Sequence, residues 1–149
     1  MTSHLIGYQA WNEWLGESVL GLADVWPEEP ARAVIVGLGQ SPLSVRTGHR
    51  YQGGQGVNLR RLVRAGLFPE PGGPIWEPAA LDAGVGFTDL IRRPIGKIFM
   101  ADLREGTPLL RGTLAEHEPN LVIAMSKEPG VALFEEEYPP GVLPVRTAW

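Results

Sequence analysis

The chain has no cysteine. That excludes disulfides, thiolate zinc sites, cysteine-ligated iron–sulfur clusters and cysteine nucleophiles, and it is compatible with a reducing cytoplasm. No apolar run approaches the ~18 residues that a membrane-spanning helix needs. The N-terminus also lacks the basic stretch and following apolar stretch of a signal peptide. A cytoplasmic protein with no membrane partner is therefore expected. Excess positive charge is missing too: the formal net charge is −4, which argues against a protein that coats nucleic acid.

What is present points to one loop-rich globular domain. The 149 residues fit a single domain over 1–149, and with 44% hydrophobic residues a core can be buried without staples. Glycine (19) and proline (14) are abundant, which disfavours a helical bundle. Charge is unevenly spread. Residues 46–104 carry nine basic and five acidic side chains, whereas 1–45 carry one and five, and 105–149 three and seven. A local positive field on an acidic protein can still meet phosphates within a Debye length of ~8–10 Å. The plainer reading is solvated arginine on helix faces.

Periodicity gives a coarse map. Trp11, Trp14, Leu15, Val19 and Leu22 have helical spacing within 8–22. Residues 32–38 form a buried strand. Residues 39–57 show almost no periodicity and read as a long loop, of the kind that carries function in small domains. A helix follows over 58–67, with Asn58 as candidate N-cap and Gly66 closing it. After a loop over 69–74 come a helical turn at 78–83, a mixed segment at 84–91, a helix over 107–118 and a strand at 120–125. A short helix over 128–138 and a strand at 141–145 end the pattern. The alternation predicts an α/β domain of three layers, α/β/α, around a mostly parallel sheet.

Three segments could carry chemistry. Gly37-Leu38-Gly39-Gln40 follows a buried strand, where open α/β sheets place ligands and where glycines allow close backbone approach. The third glycine of a dinucleotide fingerprint and the Gly-Lys-Ser/Thr of a phosphate loop are both missing, so a structural turn or a base-binding loop are the open readings. In Thr47–Gly56, Tyr51 offers a ring face for stacking, and His49 is an acid–base candidate or a hydrogen-bonding scaffold residue. In Gly84–Pro94, Asp89 lies among apolar residues. It could act as a base or electrostatic stabiliser, or simply be paired by Arg92 or Arg93.

Together, GLGQSPLSVRTGHRYQGGQG (37–56), LRRLVRAGL (59–67) and GVGFTDLIRRP (84–94) resemble the mismatch-specific uracil/thymine-DNA glycosylase branch of the uracil-DNA glycosylase superfamily. The resemblance spans roughly residues 8–134. It implies a three-layer α/β fold and a DNA partner, with no metal or organic cofactor. The implied reaction flips a base out of DNA and hydrolyses its N-glycosidic bond through an oxocarbenium-like sugar. It further implies Asp89 as the catalytic carboxylate, the only acidic residue within the matched motifs. Tyr51 would stack on the base. Gly37, Leu38, Gly39, Gln40 and His49 would line the pocket, and Arg46, Arg92, Arg93 and Lys97 would contact phosphates. Where this branch carries a water-positioning Asn, the chain has Gly39; where it carries a Pro/Ser-rich groove-pinching loop, the chain reads Leu143–Trp149. A monomeric glycosylase is the expected function. The alternatives are a catalytically inert binder of DNA or of a base, and a nucleotide-binding α/β protein.

Overall fold

The computed structural model describes residues 4–28 and 30–134. Residues 8–22 are a β-hairpin, not a helix. Strand β1 (Gln9–Trp14) pairs antiparallel with β2 (Glu17–Leu22), with Trp14 opposite Glu17. The two-residue turn is Leu15-Gly16, both at positive φ (50° and 82°), the backbone that a right-twisted hairpin demands. The spacing of Trp11, Trp14 and Leu15 mimicked a helix. In the hairpin it means something else: Trp14 turns inward to burial while Trp11 and Leu15 stay exposed.

The three other strands among the described residues form one parallel sheet. Strand β3 (Ala33–Gly37) lies in the middle, flanked by β4 (Val85–Asp89) and β5 (Val122–Ala124). The expected strands at 32–38 and 120–125 are these, and the mixed segment at 84–91 is the third. Val25 makes an isolated antiparallel bridge to Phe87, which extends the β4 edge.

The long loop expected over 39–57 is largely helical. Helix α1 (Pro42–Thr47) starts where the Ser41 hydroxyl accepts the Ser44 N–H at 3.1 Å. It has proline in its first turn and ends on Gly48. These signals sit outside any apolar periodicity because the helix is only six residues long. A single 3-10 turn (Gly53–Gln55) leads into α2 (Gly56–Arg64), so Asn58 lies inside the first turn instead of capping it. Helices α3 (Glu77–Asp82), α4 (Met100–His117) and α5 (Lys127–Phe134) complete the described fold. The α4 helix begins seven residues before the expected 107, because its first turn is set by Asp102 and not by leucine spacing. The strand expected at 141–145 and the acidic run 135–137 lie outside the described residues.

Two apolar clusters hold the elements together. Val34 and Val36 of β3 pack with Leu110 and Leu114 of α4, with Ala132 and Leu133 of α5, and with Trp14. Ala33 and Ile35, the alternate residues of the same strand, pack with Leu59 of α2, Ala80 of α3, Trp76, Val85 and Phe87. A strand apolar at every position thus serves two cores at once. Beyond the strand ends the chains stay in register: Leu90 and Ile91 N–H donate to Gly37 and Leu38 carbonyls at 3.0 and 2.9 Å, and Ile95 N–H to Gln40 at 2.8 Å.

Candidate functional site

Strands β3 and β4 end side by side at Gly37 and Asp89. The parallel arrangement brings the carboxyl ends together, and the two following loops run along each other. Asp89 and Gln40 are both about 3% exposed. The Gln40 Nε2 donates to Asp89 Oδ2 at 2.6 Å, and its Oε1 accepts the Leu22 N–H at 3.3 Å. A Cβ on Gly37 would stand 2.6 Å from Asp89 Oδ1 and 3.2 Å from the Tyr51 hydroxyl. Glycine at 37 is therefore what lets the carboxylate and the phenol close over the strand end.

Asp89 is paired, and its partner is Arg50, not Arg92 or Arg93. The Arg50 guanidinium donates through Nε and Nη2 to Asp89 Oδ2 at 3.2 and 2.9 Å and through Nη1 to the Ala23 carbonyl at 2.7 Å. Burial works against this cation, but the carboxylates of Asp89 and Asp24 outweigh it and hold the Arg50 pKa above its ordinary value. Asp24 extends the chain of charges. It lies 4.0 Å from Arg50 Nη2 and 3.3 Å from Arg92 Nη2, and it accepts the Thr88 hydroxyl at 2.9 Å. Burial raises the Asp24 pKa, an effect that the Arg92 and Arg50 charges and the Thr88 hydrogen bond offset only in part. The order Arg92, Asp24, Arg50, Asp89 alternates in sign, which is how ionised groups tolerate an interior.

Tyr51 sits at φ 58°, a backbone region costly for a bulky residue. Its neighbours are clamped on both sides. The Arg50 N–H donates to Glu77 Oε2 and the Gln52 N–H to the Ser44 hydroxyl, each at 3.2 Å. The Gln52 amide also donates to the Pro74 carbonyl at 2.8 Å. The ring packs against Phe87, centroids 6.1 Å apart. Burial, with the Asp89 charge behind it, pushes the phenol far above its ordinary pKa, and Arg50 counters only partly. The hydroxyl thus keeps its proton.

The other expected residues fall into three groups. Leu38 packs on the first apolar cluster, while a Cβ on Gly39 would meet the Ile95 side chain at 2.4 Å. Ile95 fills the space that an asparagine at 39 would need. His49 turns away to α3, with Nδ1 3.4 Å from the fully buried Glu77 carboxylate and its ring edge-on to Tyr8. Arg92 is held by Asp24 and by the Thr113 hydroxyl at 2.8 Å. Arg93 is bidentate to Asp102, at 2.8 and 2.6 Å. Arg46 and Lys97 are exposed. Of the four expected phosphate contacts, then, two are spent on internal ion pairs.

The hairpin covers this end of the sheet. Besides the Leu22 and Ala23 contacts, the Asn12 amide donates to the Arg92 carbonyl at 3.0 Å. Among the described residues a cavity of about 300 Å³ lies elsewhere, lined by Leu90, Leu103, Thr107 and residues of α5. No group of three or more His, Asp or Glu among the described residues could hold a metal, and no described helix is long and apolar enough to cross a membrane.

No family model matches the chain, and no curated protein matches it.

Sequence reasoning passed over Arg50, Asp24, Glu77 and Ile95. Arg50 was in view between His49 and Tyr51. Its pairing with a residue 39 positions away leaves no trace in spacing.

Proposed function

We propose that this chain is a DNA glycosylase-like domain of three layers, with helices on both faces of the β4-β3-β5 sheet, that takes an extruded pyrimidine at the carboxyl ends of β3 and β4. One observation carries the reading. Gly37, Gln40, Tyr51 and Asp89, drawn from three separate sequence segments, converge around a single carboxylate. In the reaction, Asp89 would stabilise the oxocarbenium-like sugar or orient water through Oδ1. Arg50 and Gln40 both donate to the other oxygen, Oδ2. Backbone N–H groups of the 37–40 loop would meet the charge growing on the departing base. Asp89 Oδ2 is already taken by a buried guanidinium and by the Gln40 amide. That pairing favours a second reading, in which the domain binds a base or DNA without cleaving it.

Uracil release from single-stranded and mismatched duplex oligonucleotides separates the two. The glycosylase reading expects abasic product, and a loss on the order of 10²-fold or more in Asp89→Asn, the scale of a positioned acid–base group. Saturable binding to the same oligonucleotides with no product at any enzyme excess would establish the second. With neither product nor binding, both readings are wrong.

A further inference from the structure

Three acidic side chains are buried among the described residues: Glu77, Asp89 and Asp102. Asp89 and Asp102 each meet a guanidinium. Glu77, the first residue of α3, meets a backbone N–H and an imidazole instead. Its Oε2 accepts the Arg50 N–H at 3.2 Å, and His49 Nδ1 stands 3.4 Å from the same oxygen. Burying a carboxyl group is costly unless hydrogen bonds compensate it, and such departures from the rule gather at functional sites. The contacts of Glu77 therefore point to its task.

Those contacts fall on the segment that carries Tyr51. With φ at 58°, this aromatic residue keeps a left-handed backbone only if the chain around it is fixed. Three peptide groups run through residues 49–52, and each is tied. Glu77 ties the first through the Arg50 N–H. The Gln52 amide ties the second, donating to the Arg50 carbonyl, and the Ser44 hydroxyl ties the third, accepting the Gln52 N–H, each at 3.2 Å. The last two ties are local, spanning two and eight residues. Glu77 lies 27 residues from Arg50, on a helix whose Ala80 packs in one apolar cluster with Ile35 and Phe87 of the sheet. It alone of the three ties the segment to a helix beyond its own stretch of chain. The same segment supplies both groups that reach the strand ends. The Arg50 guanidinium lies on Asp89 Oδ2, and the Tyr51 hydroxyl is 3.2 Å from where a Cβ on Gly37 would stand.

We infer that Glu77 is a positioning residue of the candidate site. From α3 it holds residue 51 in its left-handed backbone, and so sets the Tyr51 ring and the Arg50 guanidinium at the ends of β3 and β4. What those two groups act on there rests on the reading proposed above. The test uses NMR on the full chain, with three substitutions. Glu77→Met removes the acceptor at similar volume, Glu77→Asp keeps the carboxyl group but shortens its reach, and Glu77→Gln keeps one oxygen in place. In Glu77→Met, hydrogen-exchange protection of the Arg50 amide should fall about 10-fold, the equivalent of one hydrogen bond. The three-bond HN–Hα coupling and backbone carbon shifts of Tyr51 should leave their left-handed values. Glu77→Asp should do the same, which keeps the test open if Glu77→Met does not fold, and Glu77→Gln should stay near wild type. A Tyr51 backbone unchanged in the folded Met or Asp variant overturns the inference. In the oligonucleotide assay, Glu77→Met should weaken binding or release about 10-fold, the scale of lost stacking on one base, without changing the salt slope. Equal losses in Glu77→Gln and Glu77→Met would overturn positioning, since the carboxyl group itself would then be needed. A wild type that neither binds nor cleaves DNA overturns the DNA reading alone, and the Tyr51 backbone still decides the inference.

Discussion

Asparagine at position 89 would remove one charge from a pair that neither member shares with water, since Arg50 is 2% and Asp89 3% exposed. Three donor contacts converge on Asp89 Oδ2: Gln40 at 2.6 Å and Arg50 at 3.2 and 2.9 Å. Asparagine can accept from only some of them, and its own amide hydrogens would face guanidinium. Breaking a buried pair by removing one partner costs about 3–5 kcal/mol. Asp24, 4.0 Å from Arg50, keeps a residual counter-charge, so the lower end, about 3 kcal/mol, is expected. At about 2–4 °C per kcal/mol for a domain of this size, the melting temperature should fall by roughly 6–12 °C. Arg50→Met should cost a similar amount because it strands Asp89. The double variant should cost clearly less than the sum of the two, with a coupling of about 2 kcal/mol in a urea-denaturation cycle. Strict additivity, or a loss below about 1 kcal/mol in Asp89→Asn, would refute a dry, coupled pair.

Three further outcomes follow from the packing and the charges. Gly39→Asn alone should destabilise the domain by about 1–3 kcal/mol, because its Cβ would overlap Ile95 at 2.4 Å. Adding Ile95→Ala should recover most of the loss in thermal melts, and a neutral single variant would contradict this. Gly106→Ala should lower stability although alanine favours helix by about 1 kcal/mol, since the new Cβ would stand 2.1 Å from the Leu90 backbone carbonyl; a raised melting temperature would show that α4 can shift. The last outcome is a pH dependence of opposite sign at two aspartates. Arg93's hydrogen bonds, helped by those from Trp14 and the Phe99 N–H and opposed by burial, hold Asp102 well below the usual carboxylate range. Its contribution is present above the ordinary value of about 3.9 and is lost as pH falls below that, so Asp102→Asn should flatten the acid limb of a urea-midpoint curve. The raised pKa of Asp24 contributes below the ordinary value and is lost as pH rises through the raised one, so Asp24→Asn should remove a decline on the neutral side. Parallel curves for wild type and either variant would reject the corresponding shift.

How much of this was legible in advance varies with the range of the interaction that decides it. The strands at 33–37 and 122–124 could be read directly, because β3 is buried on both faces and the half-buried β5 packs Val122 and Ile123 on the two apolar clusters, so each is apolar along its length. The parallel sheet followed from the alternation of elements. That Gly37, Gln40, Tyr51 and Asp89 could share one end of the sheet was also open to sequence reasoning. Strand-end loops in a parallel sheet leave on the same side, and glycine at a strand end marks close approach.

Tertiary structure decided the rest. The hairpin at 9–22 carries apolar spacing that a helix would share, and the choice fell to the Leu15-Gly16 turn and to the burial of Trp14 on Asp102, a partner 88 residues away. The α1 helix is six residues long, too short for periodicity, and only its Ser41, Pro42 and Gly48 boundary residues mark it. The partner of Asp89 could not be chosen among Arg50, Arg92 and Arg93 from the sequence. Ion pairing depends on where a long side chain ends in space, and sequence adjacency favoured the wrong two. For the same reason Arg92 and Arg93 looked free for phosphate until the fold brought Asp24 and Asp102 against them. Composition and pattern determine which residues must leave water; which charge meets which, once they have left it, is settled only when distant segments are packed together.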